Sequence, residues 1–99
     1  MYAVIFRATM KHPNEQYEKM AARLRSLAFS KYRCIDFVTS LEGNKEIAIS
    51  YWHNQEDIQK WHQDPLHKEA QRLGKETWYH DYNVEVVELK RRYSSEGEL

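Results

Sequence analysis

The sequence has little of what usually constrains a small protein. Its 99 residues include one cysteine, two prolines and three glycines, and its fifteen basic residues balance fifteen acidic ones. Cys34 alone cannot form an internal disulfide or a cysteine-based metal cluster. Zero net charge removes any general attraction to nucleic acid or to an anionic membrane, so neither is expected as a partner. The basic run at residues 90–92 follows an apolar strand pattern and is interpreted as a solvated strand end.

Long apolar runs and a secretion signal are lacking too. No stretch approaches the roughly 20 apolar residues that a membrane-spanning helix needs. The first ten residues contain Arg7 and lack the charged-then-apolar order and cleavage site of a signal peptide. A single cysteine fits a reducing compartment, and we expect a cytoplasmic protein.

The composition and the order of patterns predict a single α+β domain over residues 1–99, with a core at 2–93 and a polar tail at 94–99. Hydrophobic residues make up 41% and aromatic residues 13%, which is typical of a globular chain. Strand patterns occur at 2–10, 32–41, 46–52 and 78–93. Helical patterns separate the first strand from the second and the third from the last. The order β-α-β-β-α-β predicts a ferredoxin-like fold with an antiparallel sheet.

Turn and cap residues mark the boundaries between these elements. Pro13 suits the first turn of the first helix. Gly43-Asn44 predicts a tight hairpin, because both residues tolerate positive φ. Asn54 is a predicted N-cap, Asp64-Pro65 restarts a helix, and Gly74 is a predicted C′ residue.

Both faces of the predicted sheet carry apolar side chains. The third and last strands place them on both sides: Trp52 against Ile47, Ile49 and Tyr51, and Val84 and Val86 against Val87 and Leu89. The adjacent pair Val86-Val87 interrupts the alternation and predicts a β-bulge. Helices cover one face only, so a two-fold-related copy would cover the other and give a homodimer joined through sheet faces. Alternatively, aromatic side chains cap an exposed sheet in a monomer.

Four short segments carry the most characteristic residues. They are YAVIF at 2–6, ISYW at 49–52, EDI at 56–58 followed by Trp61, and the stretch from His67 through AQRLG at 70–74 to Trp78-Tyr79. This series resembles the antibiotic-biosynthesis-monooxygenase family over residues 2–93. One departure is clear: Tyr32-Arg33-Cys34 and Asp36 stand where relatives usually have Pro-Gly-Phe and a glycine.

The resemblance implies a dimeric α/β barrel with a cavity in each subunit between the helices and the sheet. The family includes cofactor-free oxygenases of aromatic polyketides, quinol oxygenases, haem-degrading enzymes and proteins with no known activity. The haem-degrading members use an Asn from the first strand and a His ten residues after a Trp. Here Trp61 is followed at that spacing by Gln71, a poor iron ligand, and the first strand offers Arg7. We therefore expect no defined Soret shift when the protein is titrated with haemin.

Any chemistry is expected at His67. This residue lies beside the apolar stripe of its helix, with Gln71 one turn further on the same flank. Histidine is suited to proton transfer near neutral pH, so His67 is the candidate catalytic base. Alternatively, it only hydrogen-bonds a neighbouring strand or caps its helix. His62 and His67 are five residues apart, roughly 140° around a helix, so no metal site is expected.

Candidate substrate-binding residues are aromatic or polar. Tyr51, Trp61 and Trp78 are candidates for the walls of a flat pocket for a planar ring, with core and interface packing as the alternative. Gln71 is a candidate hydrogen-bond donor to the substrate. Arg7, charged within an apolar strand, either holds an anionic oxygen or pairs with an acidic residue on an adjacent strand.

Two functions remain open from the sequence. The first is a cofactor-independent monooxygenase acting on an electron-rich aromatic such as an anthrone or a quinol. The second is a non-catalytic dimer that binds a small ligand or serves a stress role. A roomy, polar-lined cavity near His67 favours the first, and a space filled by side chains favours the second.

Overall fold

The computed structural model describes residues 1–12 and 14–98, and it confirms the predicted α+β, ferredoxin-like architecture. The elements are β1 (Tyr2–Met10), α1 (Glu15–Tyr32), β2 (Asp36–Glu42), β3 (Lys45–Trp52), α2 (Gln55–Gln63), α3 (Pro65–Leu73), a π-helical turn (Gly74–Trp78), β4 (Tyr79–Glu88), β5 (Tyr93–Ser94) and β6 (Gly97–Glu98). The first four strands form an antiparallel sheet in the order β2-β3-β1-β4. This is the strand order of a split βαβ fold, with helices on one face.

The predicted helix starts after β3 are confirmed by their caps. The Asn54 side chain accepts a hydrogen bond from the backbone N–H of Asp57 at 2.9 Å, and Asp64 accepts one from Leu66 at 2.8 Å. Each satisfies a backbone donor that has no partner inside the helix. Pro13, predicted in the first turn of α1, lies outside the described residues.

The two glycines assigned to turns behave differently. Gly43 has φ of 60° in the two-residue turn between β2 and β3, which confirms the predicted hairpin. Gly74 was predicted as a C′ residue, but it is the C-cap of α3 with a right-handed φ of −59°, and the chain continues from it into the π-helical turn. A Cβ there would lie 2.8 Å from the Tyr79 ring, so glycine is required for close packing. The left-handed cap is instead Arg33, at φ of 62° after α1.

The sheet also differs from prediction at its ends and in its irregularity. The second strand begins at Asp36 because α1 continues to Tyr32. The register between β1 and β4 is regular through Val86 and Val87, so the bulge predicted there is wrong. The shift lies at Thr9/Met10 instead. The two valines simply point to opposite faces, both of which are apolar.

The C-terminal segment is partly ordered. Tyr93–Ser94 pairs with Gly97–Glu98 as a short antiparallel ribbon. The predicted polar tail thus begins with a short paired ribbon in the residues described there. Its side chains through residue 96 are exposed, in keeping with their polarity.

The hydrophobic core lies between the helices and one face of the sheet. Its buried residues come from both layers: Val4, Ala28, Cys34, Trp52, Ile58 and Trp61. Trp52 is fully buried, and its ring centroid lies 5.3 Å from that of Trp61. Among the described residues no helix covers the opposite sheet face, where Val38, Ile47 and Val87 are exposed.

Candidate functional site

The sheet divides the sequence-predicted site residues into two groups. Alternation along β3 places Tyr51 on the open face, since its neighbour Trp52 is buried against the helices. Arg7 shares that open face, and its guanidinium lies 3.5 Å from Glu85 on β4. Of the two interpretations of Arg7, the structure thus shows the pairing with an acidic neighbour. Neither residue lies on the side that carries His67.

His67, Gln71 and Trp61 do come together on the helix side. The His67 ring meets Trp61 edge-on, with centroids 4.4 Å apart, and lies 5.1 Å from the ring of His62. Gln71 Nε2 lies 3.0 Å from His67 Nδ1 and donates to the backbone carbonyl of His62 at 3.2 Å. The predicted pairing of His67 with Gln71 is present in the structure.

This network determines which hydrogen His67 carries. The Gln71 amide nitrogen has two hydrogens, so it can donate to the His62 carbonyl and to His67 Nδ1 together. Nδ1 then acts as an acceptor, which leaves the ring hydrogen on Nε2; this tautomer is assigned from the hydrogen-bond network. Burial, reinforced by the charge of His62, lowers the pKa of His67 to about 4. His67 is therefore neutral at pH 7 and is a better donor through Nε2 than a base.

The tryptophans beside His67 are mainly packing residues. Trp61 is 7% exposed, and its indole N–H donates to the backbone carbonyl of Leu24 at 3.1 Å. Its ring also meets Phe37 edge-on. Trp52 and Trp61 thus occupy much of the space between α2 and the sheet.

Trp78 belongs to a second cluster that sequence reasoning missed. Its ring meets Tyr17 edge-on with centroids 5.2 Å apart, and Tyr17 in turn lies edge-on to Tyr79. Trp78 is 2% exposed, and within residues 1–12 and 14–98 its indole N–H has no hydrogen-bond partner. A buried donor without an acceptor costs about 1–3 kcal/mol.

A hydrogen bond links one phenol of this cluster to a carboxylate. The Tyr17 hydroxyl donates to Glu46 Oε2, and the Tyr79 ring lies edge-on to the Tyr17 ring with centroids 6.0 Å apart. Burial, followed by the hydrogen bond to Glu46, raises the pKa of Tyr17 well above its usual value. Burial likewise raises the pKa of Tyr79 to about 12. Both phenols are therefore protonated at neutral pH.

A sequence signal for this cluster exists. Glu46 begins the apolar pattern of β3, and on a sheet with period two it shares the helix-facing side with Trp52. A carboxylate on that side needs a donor. Only the packing of α1 onto the sheet shows that Tyr17 is the donor.

Part of the helix-facing side of the sheet is uncovered. Val84 and Val86 share that side with Val4 and Phe6, yet they are 42% and 48% exposed. The apolar stripe of α3 is also incompletely covered, since its residues Leu66, Ala70 and Leu73 are only half-buried. The described residues thus leave both apolar surfaces partly exposed.

The other histidines lie at the surface, and the segment at residues 32–36, which replaces the Pro-Gly-Phe and glycine of relatives, makes structural contacts. His12, His53, His62 and His80 are all exposed. Arg33 adopts the left-handed conformation at a place where relatives were expected to have Pro-Gly-Phe, and its guanidinium pairs with Asp57 at 3.1 Å. Among the described residues, no helix is both long and apolar enough to cross a membrane.

A comparison of sequences finds a bacterial relative. The chain is 30% identical over 93 residues to the uncharacterized protein YqjZ of Bacillus subtilis, covering 92% of this chain and 81% of that protein. The chain belongs to the YqjZ family. No model of an established protein family matches the sequence.

Solved structures confirm the fold predicted from the antibiotic-biosynthesis-monooxygenase resemblance. SnoaB from Streptomyces nogalater, described as a cofactor-independent oxygenase, superposes with a TM-score of 0.77 at 11% identity, covering 92% of this chain and 94% of SnoaB. A structure described as an antibiotic biosynthesis monooxygenase has a TM-score of 0.66 at 14% identity, over 91% of this chain and 99% of that one. A conserved protein from Methanosarcina mazei Go1 gives 0.76 at 14% identity, over 90% and 92%. At these identities the likeness concerns the fold.

Proposed function

We propose that this protein is a cofactor-independent monooxygenase acting on an electron-rich aromatic small molecule, of the anthrone or quinol type. One observation carries the proposal: on a fold shared with a cofactor-independent oxygenase, a neutral His67 is held by Gln71 at 3.0 Å beside Trp61. In such a reaction the substrate supplies the electrons for oxygen. The protein must remove a proton, stabilise the resulting anion and exclude water.

His67 is the proposed group that contacts the substrate oxygen. Gln71 occupies Nδ1, so the Nε2–H is the end of the imidazole that has no hydrogen-bond partner among the described residues. A neutral donor in a partly dry site stabilises a developing phenolate or enolate without giving up its own proton. A pKa of about 4 keeps that donor neutral across the physiological range. This role replaces the general-base role that the sequence suggested.

The proposed substrate space lies between α3 and β4. In this proposal the half-buried apolar stripe of α3 forms one wall of the space, and the exposed Val84 and Val86 form the other. Phe6 and Tyr82, stacked with centroids 5.9 Å apart, continue the second wall as an aromatic surface. A planar aromatic ring matches such a surface in shape and polarity.

A homodimer through the open sheet faces is part of the proposal. Val38, Ile47 and Val87 are exposed there, and Ile5 and Ile49 extend the patch across adjacent strands. Contiguous apolar surface on a sheet face is usually covered in the assembled protein. Light scattering at micromolar concentration should give twice the chain mass, and Ile47→Glu should shift it toward one chain. A wild-type mass of one chain contradicts the dimer.

Oxygen consumption tests the activity. Purified, metal-free protein is given dithranol or a simple quinol, and oxygen uptake is followed against a protein-free control. Loss of one oxyanion donor typically slows turnover by about 10²–10³-fold, so His67→Ala should lose activity by that factor. His80→Ala, a change at an exposed histidine on β4, should match the wild type. Equal rates for wild type and His67→Ala would remove His67 from the mechanism.

The alternative is a non-catalytic dimer that binds a small ligand. The packing of Trp52 against Trp61 beside His67 favours it, because filled space leaves less room for a substrate there. This alternative predicts saturable quenching of tryptophan fluorescence by the same aromatics without any oxygen uptake.

A further inference from the structure

The junction between α2 and α3 leaves the backbone carbonyl of His62 without its usual helical donor. In a continuous helix this carbonyl would accept a hydrogen bond from the backbone N–H of Leu66. That N–H instead donates to the Asp64 side chain at 2.8 Å. A tighter turn to residue 65 is also excluded, because Pro65 has no N–H.

The break between the two helices is short. The Asp64 N–H donates to the carbonyl of Trp61 at 3.1 Å and closes α2 with a tight turn. The Lys68 N–H donates to the carbonyl of Asp64 at 3.0 Å and begins α3. The last turn of α2 and the first turns of α3 therefore lie close together, with the His62 carbonyl at the end of α2.

The Gln71 side chain bonds to that carbonyl from α3. Its Nε2 donates to the His62 oxygen at 3.2 Å and lies 3.0 Å from Nδ1 of His67. Because a carbonyl oxygen only accepts, the nitrogen end of the amide must face His62. The backbone, and not the imidazole, therefore decides how the amide is oriented.

The oriented amide then decides which ring nitrogen of His67 carries the hydrogen. An amide NH₂ group donates and does not accept, so Nδ1 must supply a lone pair and the ring hydrogen lies on Nε2. With the amide reversed, its oxygen would face Nδ1 and favour the opposite tautomer. The tautomer thus depends on the orientation of Gln71.

The surroundings strengthen this dependence. His67 and Gln71 are both half-buried, and Trp61 lies edge-on to the imidazole with centroids 4.4 Å apart. Hydrogen bonds in such partly dry surroundings are stronger than in water. The Gln71 contact with Nδ1 is therefore strong enough to hold one tautomer in preference to the other.

We propose that the helix break at Asp64-Pro65 fixes the tautomer of His67. It does so by freeing the His62 carbonyl, which orients the Gln71 amide. Asp64 and Gln71 are thus positioning residues, and Gln71 acts on the ligand only through His67, since both of its amide hydrogens are engaged.

A consequence for the class of ligand follows from the fixed tautomer. Nε2 of His67 presents a hydrogen, so it favours ligands with a carbonyl, enolate or phenolate oxygen over ligands that offer only donors. This preference rests on the proposed function, whereas the tautomer itself does not.

NMR of the protein with isotope-labelled histidine tests the tautomer without any ligand. At neutral pH the wild-type His67 should have a pyridine-type Nδ1 and a pyrrole-type Nε2, and His67→Ala identifies its signals. Gln71→Glu presents a carboxylate that only accepts, so Nδ1 should become protonated. Gln71→Leu should give intermediate shifts for both nitrogens, since the two tautomers then exchange.

Variants at the helix break test where the tautomer originates. Asp64→Ala frees the Leu66 N–H to bond to the His62 carbonyl, so the shifts should move toward those of Gln71→Leu. Asp64→Asn keeps an acceptor for Leu66 and should retain the wild-type shifts. Gln63→Leu, at an exposed glutamine beside the junction, is the matched control and should also leave them unchanged.

Oxygen uptake then relates the tautomer to the proposed activity. Gln71→Leu should lower kcat with dithranol by about 10–100-fold with little change in KM, the range found for partners that orient histidines in metal sites. A pyrrole-type Nδ1 in the wild type, or unchanged shifts in Gln71→Glu or Asp64→Ala, would overturn the inference. The expected shifts without oxygen uptake by the wild type support it and refute the oxygenase proposal.

Discussion

Two tyrosine–carboxylate pairs in this molecule have the same chemistry and different surroundings. Tyr32 donates to Asp64 at 2.6 Å, and Tyr17 donates to Glu46; both hydrogen bonds are part-buried and join α1 to a later element. Asp64 also accepts from the Leu66 backbone at 2.8 Å and lies 3.9 Å from Lys31.

The difference lies in how completely each carboxylate is satisfied. The Tyr32 hydrogen bond, with the Leu66 N–H, holds the pKa of Asp64 below its usual value, so Asp64 is a stable anion at the start of α3. In the part of the chain that the structure describes, Tyr17 is the side chain that donates to Glu46. A carboxylate with several donors keeps partners when one is removed, whereas one with a single donor depends on that donor.

The largest expected contrast between the pairs is in turnover. Tyr17 packs edge-on against Tyr79, which adjoins the proposed ligand surface, so Tyr17→Phe should slow oxygen uptake with dithranol by about 10-fold. Tyr32→Phe should stay within a few-fold of wild type, since Tyr32 supports α3 without contacting the proposed ligand surface. Equal losses in both variants would break the comparison.

A fall in pH should lower the stability of the protein through His67, which lies near Asp64. Burial lowers the pKa of His67 from 6.5 to about 4. Between these two pH values the imidazole is protonated in the unfolded chain and neutral in the folded protein. Its contribution to stability is complete above pH 6.5 and is lost as the pH falls to about 4. The free energy of unfolding should drop by at most about 1.4 kcal/mol per pH unit there.

Urea titrations at several pH values measure this dependence. His67→Gln should flatten the slope between pH 6.5 and 4, because no imidazole then titrates. Tyr17→Phe, on the other side of the comparison, should retain the wild-type slope. A retained slope in His67→Gln would assign the acid sensitivity to other groups.

A displaced Tyr79 ring should perturb the region around Tyr17 and Glu46 while all hydroxyl groups are kept. A Cβ on Gly74 would lie 2.8 Å from the Tyr79 ring, so Gly74→Ala must displace that ring. Overpacking of this kind costs typically about 1–3 kcal/mol, measured by urea denaturation. Oxygen uptake with dithranol should fall as well, because Tyr79 adjoins the proposed ligand surface. Unchanged stability and oxygen uptake would show that Tyr79 tolerates movement.

The smallest contrast is in the stability cost of the two hydroxyls. Tyr32→Phe leaves Asp64 with its backbone donor and Lys31, so a cost of about 0.5–1.5 kcal/mol is expected. Tyr17→Phe leaves a half-buried Glu46 without a donor and should cost about 1–3 kcal/mol. Chemical denaturation of both variants measures the difference, and a larger loss for Tyr32→Phe would reverse the comparison.

Much of the fold could be predicted from local patterns. The strand order, the hairpin at Gly43 and the caps at Asn54 and Asp64 depend on residues close together in the chain, where periodicity and turn chemistry apply directly. Gly74 could not be assigned this way, because its requirement comes from the Tyr79 ring packing against it. The predicted bulge at Val86-Val87 was wrong because two apolar faces also produce adjacent valines.

The candidate site was predictable only in part. A helix repeat brings His67 and Gln71 together, so their contact followed from spacing. Arg7 and Tyr51 were grouped with them by residue type, yet sheet alternation places both on the opposite face. Arg7 and Tyr51 therefore cannot contact the same bound substrate as His67 within one subunit.

The sequence by itself determined the ferredoxin-like order of elements, the amphipathic α3 and the two apolar sheet faces, since each arises from short-range periodicity. Only the tertiary structure decided that Tyr17 meets Glu46 across 29 positions, that the buried Trp78 indole has no acceptor among residues 1–12 and 14–98, and that His67 is neutral. These properties depend on which elements pack together and on the burial that results. Burial and long-range hydrogen bonds form only when the helices pack against the sheet.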